Sequence, residues 1–265
     1  MLRFFLKKVS SEFSIEYKRE NYPSIEFAQH VETKFVEGDL KPITDSMMFK
    51  LYDRTRSMLE PEQVDRSLGD VFIGVDWGDG SKTIPWVMQM QKDGVLVLLK
   101  AEMIQTSDVD KQYEIVTGYI DDYSPKQVVV DAGGGTYQVQ KLESRYTSKV
   151  RRNSYTVRPE SPLPTKQEEK KLRKENRYTI DRTFSIDRIT NGKMVIPAAD
   201  PSKVDWIVEK FCNIEAEITK LKSTGQTYRR YSHGTGSPDD ALHSCNYAEI
   251  AADISRGGEM WWFSC

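Results

Sequence analysis

Four aspartates in this sequence stand where an apolar run gives way to small residues: Asp76 in GVDWG, Asp131 in VVVDAGGGT, and the adjacent Asp239 and Asp240 in SPDDA. Taken singly, each also reads as a turn former or as an acid at the positive end of a helix dipole. Taken together they suggest chemistry. Carboxylates held a few ångströms apart raise one another's pKa unless cations neutralise them, and such hard oxygen donors select Mg²⁺ or Mn²⁺ over zinc. The glycines allow a second reading: GVDWGDGS and VVVDAGGGT have the form of strand–Gly loops whose backbone N–H groups cradle nucleotide phosphates.

Positioning these groups is the task of the flanking elements. VFIGVDWG (71–78), TIPWVMQM (83–90) and, beyond the Asp93-Gly94 turn, VLVLLKAEMI (95–104) predict a strand meander. Val109, Tyr113, Val116 and Ile120 fall at helical spacing over 108–123, and QVVVD (127–131) predicts a buried strand. A helix from Thr136 to about Arg145 and a strand near 154–158 follow. Residues 165–190 read as mostly helical, opening on a Thr165-x-x-Glu168 capping box, before Asn191-Gly192 turns into the strand KMVIP (193–197). The apolar spacing of Val204, Ile207, Val208, Phe211, Ile214, Ile218 and Leu221 predicts a helix over 201–222, followed by a polar loop (223–236). Ser237 as cap and Pro238 at the first helical position then open a last helix to about Ala252. This order predicts a mixed α/β sheet. If its first and fourth strands are neighbours, Asp76 and Asp131 meet at one edge, and the last helix brings the Asp pair to them.

Composition bounds the partners. The 265 residues are 38% hydrophobic and 29% charged, enough for a sizeable core and unlike a disordered chain. Three cysteines without a CxxC pair and three histidines support neither a disulfide framework nor a zinc site, and predict a reducing, cytoplasmic compartment. No apolar run reaches the ~18–20 residues of a membrane span. The net charge of −2 argues against a polyanionic partner until it is divided. Residues 141–188 hold 14 Lys/Arg against 7 Asp/Glu, a local +7, and the remainder sums to −9. Arg151, Arg152, Lys170, Lys171, Arg173, Lys174, Arg177 and Arg182 in that stretch suit contact with nucleic-acid phosphates without sequence readout. The same pattern also reads as a solvated helix with i,i+4 pairs such as Glu169–Arg173.

Read in order over about 70–252, GVDWG, VVVDAGGGTYQVQKL, NGKMVIP after a charged helix, and SPDDALHSCNYA resemble the nuclease domain of phage and prophage large terminase subunits. ENYPSIEFAQHVETKFVEGDL resembles, more weakly, the segment that closes the motor domain in that family. The resemblance implies a ribonuclease H-like mixed β-sheet flanked by helices over 70–254, after an N-terminal segment (1–69) and before a tail (255–265). It implies cleavage of double-stranded DNA between packaged genomes at a two-metal site holding Mg²⁺ or Mn²⁺. By motif, Asp76 would bridge the metals, Asp131 would be the second ligand, and Asp240, with Asp239 assisting, the third. It also implies an ATPase motor domain or subunit, a small terminase subunit and a portal as partners, and no membrane. Asp79 and His233 are candidate supporting groups, with a turn and a solvent-facing loop as their plainer readings. His243 is expected to pack or cap locally, and Trp77, Trp86 and Trp206 to serve as core or rim aromatics.

The chain departs from the family in having no GxxxxGK[ST] motif, so either it is a nuclease-domain fragment or the motor is a separate polypeptide. Junction resolvases and transposase-like nucleases are alternative enzymes of that fold. An actin-like nucleotide-binding module would explain the glycines after Asp131, but would need a Gly-rich adenosine loop where this sequence has Ser-Pro-Asp-Asp. An interaction domain without activity is the remaining reading. The apolar ending GGEMWWFSC either docks on a surface or is a plain tail.

Overall fold

The computed structural model describes residues 41–77, 82–156, 164–191, 193–220, 225, 227–233 and 239–256. Helix α1 (Asp45–Leu51) and the short strand β1 (Tyr52–Asp53) precede the meander β2 (Gly69–Asp76), β3 (Lys82–Gln91) and β4 (Leu96–Ala101), with β5 (Ile104–Gln105) pairing back on β3. Helix α2 (Val109–Tyr123) starts where Asp108 accepts from the N–H groups of Asp110 and Lys111, and leads to β6 (Gln127–Asp131). Then come α3 (Thr136–Arg145), β7 (Val150–Thr156), α4 (Lys166–Lys174), β8 (Arg177–Asp181), α5 (Arg182–Asn191), β9 (Met194–Pro197), α6 (Asp205–Phe211), the hairpin β10 (Ile214–Lys220) and β11 (Thr227–His233), and α7 (Asp240–Ser255).

The main sheet runs β1-β9-β4-β3-β2-β6-β7-β8. β2, β3 and β4 are antiparallel, whereas β6, β7 and β8 continue from β2 in parallel. The strands read as nearly unbroken apolar runs because helices cover both faces. On one face Val71, Ile73, Val75, Val128, Val130 and Val150 pack with residues of α2 and α3. On the other, Phe72, Trp86, Met88 and Val129 share a core with α7, α6 and α5. From Asp240 to Ile254 every residue of α7 is buried, which accounts for its small residues and its lack of a polar face. Ile43 and Met48, just before and within α1, belong to that same core, and Tyr52 donates to the Val204 carbonyl at 2.9 Å. No helix of the described residues is long and apolar enough to cross a membrane.

Two long helices expected from the sequence are each broken by strands. The Thr165–Glu168 capping box forms, but α4 ends at Lys174, Asn176 turns at φ 52°, and RYTID becomes β8. Tyr178 and Ile180 gain burial there as the sheet's last strand, and tertiary packing overrides the helical composition. The helix expected over 201–222 stops at Phe211, and IEAEITK pairs with TYRRYSH. Ile214, Ala216 and Ile218 alternate with Glu215, Glu217 and Thr219, so the period here is two and not the 3.6 of a helix. Tyr231 and Arg229 fasten this hairpin to α5 by bonding Asp187, the Arg229 contact at 2.5 Å. The strand expected near 154–158 lies at Val150–Thr156. Asp239 takes the N-cap position of α7, and the expected cap Ser237 and Pro238 lie outside the described residues.

Candidate active site

In a parallel pair, residues in register point to the same face. Val75 is opposite Val130, so the next residues, Asp76 and Asp131, stand side by side at the carboxyl ends of β2 and β6. Both point toward α7. Gly74, two residues before Asp76 on the same face, lies so close to this helix that a Cβ there would come within 2.0 Å of the Ser244 carbonyl. Tyr247 of α7 donates to Asp131 Oδ1 at 3.1 Å. Ser244 fastens the start of α7 to the edge: its hydroxyl accepts from the Asp76 N–H at 3.1 Å and lies within bonding distance of the Ile84 and Asp240 carbonyls. Asp76, Asp239 and Asp240 are all buried. The carboxyl ends of neighbouring parallel strands are where open α/β sheets place ligands.

The loop after Asp131 serves the carboxylate itself. Gly134 donates its N–H to Asp131 Oδ2 at 2.7 Å, and Gly135, at φ 59°, approaches Trp77 so closely that a Cβ would sit 2.5 Å from the indole. The glycines therefore hold the Asp131 side chain and let Trp77, buried directly after Asp76, pack beneath the turn. Burial pushes the Tyr247 phenol far above its ordinary pKa, and the nearby Tyr155, Asp76 and Asp131 push the same way.

A second group of side chains adjoins these carboxylates. Asp239, His243 and Tyr247 form an i, i+4, i+8 stripe on α7. His243 Nε2 is 3.0 Å from Asp239 Oδ2, and its Nδ1 is 3.0 Å from the Tyr155 hydroxyl. Arg182, the first residue of α5, places NH2 at 2.9 Å from both Asp239 Oδ2 and His243 Nε2. Asn246 donates to the Tyr155 hydroxyl at 2.7 Å, and the Tyr155 ring stacks on Tyr247. His243 is thus packed locally, buried against Asp239, but also reaches across to β7 and α5. Sequence reasoning alone misses Tyr155 and Tyr247. The Asp239/His243/Tyr247 stripe is legible as one helix face, whereas nothing local marks Tyr155.

The donor set suits a hard divalent cation: carboxylates only, on the joined ends of three elements. Among the described residues no three His, Cys, Asp or Glu side chains already converge as a cage. Asp131 is engaged by Tyr247 and Gly134, and Asp239 by Arg182 and His243. Asp79 and the side chain of His233 lie outside the described residues.

The basic stretch separates into paired and exposed members. Arg152 forks onto Glu143 at 2.9 and 2.6 Å, Arg173 bonds Glu169, and Arg177 lies 3.7 Å from Glu175. Burial, with Arg173 nearby, lowers the pKa of Arg151. Lys170, Lys171 and Lys174 on α4 face solvent.

An antiparallel meander joined through its first strand to a parallel run, with helices on both faces, defines a ribonuclease H-like fold. The large terminase of a thermophilic bacteriophage superimposes on 93% of this chain, with a TM-score of 0.51 and 12% identity. Only 53% of that terminase is matched, so this chain spans about half its length. The large terminase nuclease of the thermophilic phage G20c with bound magnesium matches over 82% of this chain and 98% of its own, with a TM-score of 0.46 and 14% identity. T. thermophilus RuvC in complex with a Holliday junction substrate matches over 71% and 96%, with a TM-score of 0.35 and 14% identity. No protein-family model and no curated protein matches the chain.

Proposed function

We propose that this chain is a metal-dependent endonuclease that hydrolyses phosphodiesters of double-stranded DNA, acting as the nuclease domain of a phage large terminase. The observation that carries the reading is the β2–β6 register, which sets Asp76 beside Asp131 at the edge where α7 begins with Asp240. In this reading Asp76, Asp131 and Asp240 would hold Mg²⁺ or Mn²⁺. Bound there, the cations would lower the pKa of the attacking water and neutralise charge developing on the leaving 3′-oxygen. The chain's own part is placement: Ser244 locks the start of α7 to β2, and Gly134 and Tyr247 orient Asp131. Burial of Asp76 and Asp240 limits competing water. The motif resemblance extends this role to a motor domain or subunit, a small terminase subunit and a portal as partners, within the host cytoplasm.

Plasmid nicking and linearisation with Mn²⁺, Mg²⁺ or EDTA test the reading. Cutting should require the metal and no ATP, and should prefer duplex over four-way-junction DNA. Asp76→Asn should lower the rate at least about 100-fold, the upper end of what losing a mere supporting partner of a metal ligand costs. Wild-type cutting by that variant rejects the site, and a preference for junctions rejects the terminase role.

A further inference from the structure

The nuclease reading gives the Arg182 cluster no role of its own, yet it adjoins the carboxylates of the proposed site. Arg182 follows directly on the carboxyl end of β8, at the same sheet edge as Asp76 and Asp131, because β2, β6, β7 and β8 are mutually parallel. Asp181, the last residue of β8, accepts from the Phe184 N–H at 2.9 Å and closes the first turn of α5, which fixes where Arg182 departs. The guanidinium is then held from two sides. NH2 meets Asp239 Oδ2 and His243 Nε2, each at 2.9 Å, and the guanidinium carbon lies 5.9 Å from the centre of the Tyr155 ring. His243 braces this pair in either tautomer: a protonated Nε2 donates to Asp239, and an unprotonated one accepts from Arg182. Tyr155 holds the other ring nitrogen and is itself held by Asn246, whose side-chain oxygen accepts from Ser185 at 2.6 Å.

A chain of this length, running through three elements, is an expensive way to orient one cation that is merely structural. Arg182 keeps a quarter of its side chain exposed, although its Nε is buried, without a hydrogen-bond partner among the described residues, and is not the atom that a ligand would reach. A planar, partly exposed guanidinium immobilised by the immediate neighbour of Asp240 is the geometry that reads phosphate oxygens. Asp239 contributes differently from that neighbour. Its Oδ2 already faces Arg182 and His243, and a divalent cation on the same carboxylate would stand against the guanidinium charge.

Resting on the nuclease reading above, we propose that Arg182 binds a backbone phosphate of the DNA strand in the site, and that Asp239, His243 and Tyr155 are positioning residues for it. Of the Asp pair, Asp240 is the metal-side carboxylate and Asp239 the arginine-side one.

Two titrations on the full chain test this apart from cleavage. Calorimetric Mn²⁺ binding should weaken more than tenfold in Asp76→Asn and Asp240→Asn but stay within about twofold in Asp239→Asn, because only the first two lose a ligand. Binding of a labelled duplex in metal-free buffer should weaken about tenfold in Arg182→Gln, with the slope of log K against log salt falling by about one, the signature of one lost phosphate contact. Arg182→Lys should restore the slope but not the full affinity, since it returns the charge without the fork. Mn²⁺ affinity in Arg182→Gln should stay at the wild-type value, which shows that the site is still folded. Loss of Mn²⁺ binding in Asp239→Asn to the extent of Asp76→Asn overturns the division of the pair. An unchanged slope in Arg182→Gln overturns the phosphate contact. Wild-type protein that binds Mn²⁺ and DNA as described yet never cuts defeats the nuclease reading alone, whereas wild-type protein that binds neither defeats both.

Discussion

Glu249 and Asp253, one turn apart on α7, share the buried guanidinium of Arg188 on α5, and Arg256 also acts on Asp253. Arg188 bonds Asp253 and lies 3.7 Å from Glu249 Oε1, and all three side chains are less than a tenth exposed. Around them stand Tyr178 from β8, Cys245 from α7, and Lys193 beside a small cavity that Glu249 also lines. Burial pushes Glu249 up to about 7, with Arg188 opposing and Asp253 adding to the rise. Asp253 is raised as well, again chiefly by burial. A carboxyl raised on folding binds its proton more tightly in the folded state. Its contribution is therefore fully present below the unfolded-state value near 4.5 and is lost as pH climbs through about 7. Glu249→Gln removes the titration and keeps the shape. Melting scans from pH 5 to 9 should show the wild type losing up to about 3 kcal/mol relative to the variant, the order set by 1.36 kcal/mol per pKa unit. Parallel curves for the two proteins would refute the assignment.

At the scale of elements, the site depends on how closely α7 lies on β2. Only a glycine allows it at position 74, where a Cβ would meet the Ser244 carbonyl at 2.0 Å and the Ala248 nitrogen at 2.3 Å, both backbone atoms that cannot swing aside. Ser244 then completes the seam by satisfying the Asp76 N–H. Gly74→Ala should destabilise the fold by about 3 kcal/mol, the upper range for overpacking, visible as a lowered denaturation midpoint. In protein that still folds, the displacement of Asp240 from Asp76 should also reduce Mn²⁺ affinity. A variant as stable as wild type would mean that the helix does not sit on the strand as described. The β10–β11 hairpin is a separate attachment, held to α5 through Asp187 and leaving Ile218 about three-quarters exposed.

For the molecule as a whole, the near-neutral charge is an average over unlike regions, but the local +7 overstates the phosphate contacts it offers. Arg152, Arg173 and Arg177 lie against glutamates, and Arg182 lies against Asp239. The exposed lysines of α4 remain. Replacing Lys170, Lys171 and Lys174 by Gln should lower the salt slope of duplex binding by about two to three, near 0.9 per phosphate contact. Arg152→Gln should leave that slope unchanged, because its fork is spent on Glu143 within the molecule. A triple variant with the wild-type slope would show that α4 faces away from DNA.

Much of the architecture was legible from local pattern. The meander, α2, β6 and α3 fall where their apolar runs and turn residues place them, because each carries its own period and its own stop signals. The aspartates were visible as candidates for the same reason: a charged residue closing an apolar strand is a local anomaly. What the sequence could not decide was whatever depends on neighbours distant in the chain. RYTID becomes a strand because β7 offers it an edge, and IEAEITK because TYRRYSH folds back on it. The parallel β2–β6 register that brings Asp76 beside Asp131 was only a condition in the sequence, and the structure meets it. The roles of Arg182, His243 and Tyr155 likewise arise where β8, α7 and β7 converge. Sequence by itself determined which residues were able to do chemistry, since side-chain type is local. Tertiary structure alone decided which of them meet, since side chains far apart in the chain are brought together only by packing.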